Sequence, residues 1–94
     1  MKILQSGLPV LVDFRGQKCG HCKAMEPVLQ DIAEIVSGQI KIVKLVVDEN
    51  KSIVDEYNIR SLPTLILFCN GKAVERLAGA APKSIIKSMI ESHI

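Results

Sequence analysis

The chain has no tryptophan, one tyrosine and two phenylalanines among its 94 residues. A core must therefore be assembled from Ile, Leu, Val and Ala, which dominate a hydrophobic share of 48%. Charge of one sign is also lacking: twelve Lys and Arg stand against ten Asp and Glu, a net charge of +2. So small and evenly scattered an excess gives no field for a nucleic acid or an anionic membrane, and no basic stretch carries interleaved aromatics. No apolar run approaches the roughly 18 residues needed to span a bilayer. Cysteine is scarce and odd in number, at three. A secreted disulfide scaffold of this size would carry an even set, so a close pair with one distant thiol points to redox or metal chemistry.

What is present fits one domain, residues 1–94, with one modest core. The opening MKILQSGLPVLVDF has an early Lys and some apolar residues, as a signal peptide would. Gln5, Ser6, Gly7 and Pro9 interrupt it, and cleavage near Asp13 would remove a core strand. The expected location is the cytoplasm.

PVLVDF, residues 9–14, reads as a buried strand entered through proline. From about Cys19 to Ser37, Met25, Val28, Leu29, Ile32, Ala33, Ile35 and Val36 recur at helical spacing, with Gly38 as a stop and a kink expected at Pro27. IKIVKLVV, residues 40–47, gives a second strand, and a short helix follows over residues 52–57. SLPTLILFC, residues 61–69, is a third strand. Asn70-Gly71 is a hairpin signal that returns residues 72–78 antiparallel. A last helix from Pro82 carries Ile85, Ile86, Met89 and Ile90 on one face. The order implies an α/β domain with a mixed sheet of about four strands, helices on both faces and a right-handed crossover joining the first two strands.

KCGHCK, residues 18–23, is where the chemistry concentrates. Structural zinc wants four ligands, and Cys69 in an apolar strand, His21 between the cysteines and His93 near the C-terminus do not supply the rest. An iron–sulfur cluster lacks ligands for the same reason, and a c-type haem needs histidine where Lys23 stands. No metal or cofactor is expected. A redox pair needs less. A helix beginning near Cys19 points its unpaired N–H groups and positive end at that sulfur, which favours the thiolate. Cys22 lies one turn on, within bonding reach, and reads as the sheltered resolving thiol.

VDF at 12–14, CGHCK at 19–23, Pro27, KLVVD at 44–48, NIRSLPTLILFCNGK at 58–72 and Gly79 together resemble the thioredoxin family over residues 9–94. The resemblance implies a thioredoxin fold and reduction of protein disulfides through the Cys19–Cys22 pair. It implies a cis Pro63 facing the disulfide, Asp13 as a buried carboxylate beneath Cys22 with Lys44 as its neighbour, and a groove lined by Val47, Leu62, Ala78, Gly79 and Ala80. Lys18 and Gly20 border the pair and belong with the substrate-contacting set. Disulfide-containing protein substrates, a flavin-dependent thioredoxin reductase as donor and a monomeric state go with it. The residues agree in part: an acid in a buried strand is costly to ionise, so Asp13 should hold its proton and could take one from Cys22. A purely structural Asp13–Lys44 pair is the plainer alternative.

Two departures stand out. Lys18 replaces the family's usual tryptophan, and Gly20-His21 replaces Gly-Pro, as in protein disulfide isomerases. Both cations would favour the Cys19 thiolate and make the disulfide a stronger oxidant, giving an expected potential between about −270 and −180 mV. An oxidase or isomerase in an oxidising compartment is therefore a rival reading, and a redox-inactive binding module another. The second departure is at the N-terminus, where residues 1–7 have room for one helical turn at most. A trimmed sheet with an exposed edge is expected. Cys69 reads as a small buried hydrophobe, His93 as a solvated terminal residue and Lys23 as part of a solvated helix face.

Overall fold

In the computed structural model, which describes residues 7–94, the apolar run after Pro9 forms β1 (Val10–Arg15). All but its last residue are buried. The remaining elements are α1 (Gly20–Ile35), β2 (Lys41–Val46), a 3-10 turn (Val47–Glu49), α2 (Lys51–Glu56), β3 (Thr64–Cys69), β4 (Lys72–Ala78) and α3 (Lys83–Glu91). The strands form one sheet in the order β2-β1-β3-β4. β1 and β2 are parallel, as a connection through α1 requires, while β3 runs antiparallel to both β1 and β4.

Alternation along β1 assigns the two faces. Leu11 points to the side covered by α1 and α3, where it packs with Met25, Leu29, Ile32, Leu65, Leu67, Ile86 and Ile90. Val10, Val12 and Phe14 point to the side covered by α2, with Ile59, Ile66 and Phe68. Each such side chain, fully buried, stabilises the fold by about 1.5–3 kcal/mol before the entropy of ordering it is counted. Helices on both faces of a four-stranded mixed sheet match the expected architecture.

Differences from expectation have local causes. The third strand begins at Thr64, because Pro63 offers no N–H to a ladder and the Thr64 hydroxyl donates to the Ser61 carbonyl at 2.6 Å, turning the chain first. β1 extends one residue further, so Arg15 belongs to the strand and not to the loop after it. The buried stripe of α1 is Met25, Leu29, Ile32 and Val36, which leaves Ile35 47% exposed, and Ile85 on α3 is likewise off its stripe at 50%. Cys69 is a partly exposed free thiol, not a fully buried one. His93 is exposed, as expected, with its Nε2 3.6 Å from Glu75 Oε2. The Asn70-Gly71 hairpin is present, with φ of 54° and 78° at its two central residues. β2 is an edge strand among the described residues; the expectation for residues 1–6 lies outside them.

Candidate active site

Cys19 caps α1. Its backbone is extended, with φ −128° and ψ 106°, and its Sγ accepts the N–H of Cys22 at 3.2 Å. Its carbonyl accepts the N–H of Lys23 at 3.1 Å, which closes the first turn. The first turn carries no acidic side chain, so nothing offsets the positive end of the helix at this sulfur. Cys19 and Cys22 are joined in a disulfide with Cα atoms 5.2 Å apart. Their environments differ: Cys19 is partly exposed, whereas Cys22 is completely buried on the same stripe as Met25 and Leu29.

The loops around the pair are tied to one another. The Leu62-Pro63 bond is cis, Pro63 is buried, and its carbonyl accepts the Gly79 N–H at 2.7 Å. Gly79 has φ +85°, a region where a Cβ is strained, so glycine suits this bond from beyond the end of β4. Gly16, unremarked in the sequence, is the point of close approach. A Cβ there would meet Leu62 Cδ1 at 3.1 Å and Cys19 Cβ at 3.7 Å. Asp48 Oδ1 accepts the Gln17 N–H at 3.3 Å and links the 3-10 turn to the loop before Cys19. Thus Leu62 and Cys19 both approach Gly16, and Pro63 is tied to Gly79. Val47 and Leu62 are half-buried against the α2-side core, while Ala78 and Ala80 are exposed at the end of β4 and just beyond it. Lys18, Gly20 and His21 are exposed beside the pair.

Asp13 lies on the sheet face that α1 covers, one alternation from Leu11, and is completely buried. Neither carboxylate oxygen has a hydrogen-bond partner. Burial pushes its pKa upward, an effect offset in part by the positive charges of Arg15 and Lys44 and reinforced by Glu26. Lys44 is its register partner on β2, as expected of a neighbour, but the two do not form the ion pair of the plainer alternative. The Lys44 side chain is 56% exposed and its Nζ lies 3.9 Å from Glu26 Oε1. An ammonium keeps its hydration more cheaply at the surface than in the sheet interior. Glu26 also takes a 2.5 Å ion pair from Arg15, whose hydrogen bond and charge hold the Glu26 carboxyl below its ordinary range. Arg15 and Glu26 were not legible as site residues, although alternation from Asp13 to Arg15 was the available signal for the first.

A partly exposed cysteine capping a helix, bonded to a buried cysteine one turn on, is the arrangement of a dithiol–disulfide exchange centre. Comparison with known proteins agrees. The thioredoxin family profile matches residues 1–92. The chain is 42% identical over 93 residues to thioredoxin 1 of Synechococcus elongatus, covering 99% of this chain and 87% of that protein. It is 43% identical over 93 residues to a thioredoxin of Pyropia yezoensis, again with 99% and 87% covered. A solved thioredoxin variant from Halobacterium salinarum superposes with a TM-score of 0.89 at 35% identity, over 98% of this chain and 80% of that one. The chain belongs to the thioredoxin family. It is a thiol–disulfide oxidoreductase, and its Cys19–Cys22 pair is the redox-active disulfide.

Proposed function

We propose that Cys19 is the attacking thiolate and Cys22 the resolving thiol in the reduction of protein disulfides. Cys19 attacks one sulfur of the substrate disulfide; that S–S bond breaks, one substrate sulfur leaves as a thiolate and takes up a proton, and the other is joined to Cys19. Cys22 then gives its proton to Asp13, directly or through water, and attacks the Cys19 sulfur. The mixed disulfide breaks, the second substrate sulfur leaves and is protonated, and the Cys19–Cys22 disulfide closes. Two electrons have passed from the pair to the substrate, with no metal or organic cofactor called upon in the chain itself. The contrast in exposure between the two sulfurs carries this assignment: only Cys19 offers a surface to a protein substrate.

An extended substrate segment would lie against Pro63, in a groove bordered by Lys18, Gly20, Val47, Leu62, Ala78, Gly79 and Ala80. Protein substrates and a reductase are what membership of the family implies; a flavin-dependent thioredoxin reductase is the donor we assign. A monomeric, single-domain protein of the cytoplasm completes the reading. No helix among the described residues is long and apolar enough to cross a membrane. The test is insulin reduction at fixed dithiothreitol. Cys19→Ser should abolish turnover, and Cys22→Ser should stall as a mixed disulfide; turnover surviving Cys19→Ser would reject the assignment.

His21, exposed in the first turn of α1, favours a second reading in which the pair works as an oxidant. A potential near −180 mV that falls in His21→Pro would support it; a value near −270 mV unmoved by the substitution would make His21 a bystander.

A further inference from the structure

Besides Lys44, the neighbour that the sequence pointed to, Asp13 has a second cation close by. β1 places Asp13 and Arg15 two residues apart on one face, the face that α1 covers. Arg15 is largely withdrawn from solvent, with 12% of its side chain exposed, and Glu26 of α1 holds its guanidinium. Glu26 itself stands four residues after Cys22, hence on the same side of the helix as the resolving thiol. Lys44, the cation in register with Asp13, is more than half exposed and makes only the 3.9 Å approach to Glu26.

We infer that Arg15, pinned by Glu26, is the positioning residue for the resolving step: its fixed charge, not that of Lys44, governs how readily Asp13 gives up and accepts a proton. This rests on the reading that Asp13 serves Cys22. A guanidinium does not titrate in the working range, so its field at Asp13 is constant. Being mostly buried, it is screened less by water and salt than an exposed ammonium, and its planar fork is fixed by the carboxylate it binds. Arg15 is also the leading cation opposing the upward push of burial on Asp13.

The charged and titratable groups around Asp13 are few. β1 offers Arg15, β2 offers Lys44, and α1 offers Cys22 and Glu26, with Lys23 acting on Glu26. β3 and α3 turn Leu65, Leu67, Ile86, Met89 and Ile90 to this side, with the free thiol of Cys69 at the far end of β3. Glu26 therefore has two opposed effects, adding a negative charge near Asp13 while anchoring the stronger cation. Substituting Arg15 is the cleaner test.

The experiment is a carbon-13 carboxyl titration of Asp13 in the reduced protein, paired with the pH dependence of substrate release from the Cys19 mixed disulfide. Arg15→Gln should move the Asp13 midpoint upward, and by more than Lys44→Gln does. Release should become several-fold slower at a fixed pH on the rising limb, and Arg15→Lys should recover most of both effects. Arg15→Met, which keeps the apolar stem, takes the place of Arg15→Gln if that variant does not fold. An Asp13 midpoint unmoved by loss of the guanidinium, or moved as far by Lys44→Gln, would overturn the inference. A merely structural Arg15 would lower stability without moving the midpoint, which also counts against it. Asp13→Asn separates the two claims: release unchanged in that variant contradicts the role of Asp13 in resolution, while the carboxyl titration still reports on Arg15.

Discussion

The two faces of the sheet are built to different rules. On the α2 side the buried side chains are apolar except Thr64, whose hydroxyl is satisfied by the Ser61 carbonyl, and all three aromatic residues of the chain meet there. Tyr57 packs edge-on against Phe68 with centroids 5.3 Å apart and tilted against Phe14 at 6.5 Å. On the α1 side the core is aliphatic and encloses a carboxylate with no hydrogen-bond partner, flanked by a guanidinium held to a glutamate. One face carries packing that nothing opposes. The other accepts an energetic liability, a buried carboxylate, on the face that also buries Cys22, the resolving thiol under the proposed function. The lesson is that a buried polar group left unsatisfied marks where chemistry outranks stability.

The largest effect should come from the face that only packs. Phe68→Ala removes a fully buried ring and its contact with Tyr57, and should destabilise the protein by about 3–5 kcal/mol in denaturant melts. The potential of the Cys19–Cys22 pair should change little in the fraction that remains folded. A marked change in potential would show that the faces are coupled and would break the comparison. At the other extreme, Lys83→Ala removes a 3.4 Å exposed pair with Asp31 on the outer side of α1 and α3. It should shift stability by no more than about 0.5 kcal/mol, and that loss should vanish at high salt.

Much of this division was legible in the sequence. Continuous apolar runs and the Asn70-Gly71 turn placed the strands, and helical stripes placed α1 and α3. Cys19 and Cys22 could be separated from metal chemistry by counting ligands. The details that failed depend on one residue of register or on tertiary distance. Ile35 and Ile85 fit an apolar count, yet each sits about 100° from the stripe that meets the sheet. Arg15 read as the start of a loop because strand ends are set by pairing, here with Val46, and not by composition. Lys44 read as the partner of Asp13 because register is local, while the path of a four-carbon stem to solvent is not. The cis form of Pro63 came from family resemblance alone, since residue type does not distinguish it from an ordinary trans proline at a strand entrance.

The pH dependence of stability probes the liability directly, and the two carboxylates of the cluster have opposite signs. Glu26 has a depressed pKa, so its contribution is present above its unfolded value and is lost as pH falls through its folded value. Asp13 has a raised pKa, so the folded state holds a proton that the unfolded state has released once pH exceeds about 3.9. Stability must then decline with rising pH from there to the folded pKa of Asp13, and level off beyond it.

The most direct measurement is the denaturant stability of the oxidised protein and of Asp13→Asn across pH 4 to 9. The account predicts that the variant gains on the parent as pH rises and that the gap reaches a plateau once Asp13 is ionised in the fold. A gap that stays constant with pH, or that closes as pH rises, would mean the carboxylate is compensated in the folded protein and would contradict the contrast between the two faces.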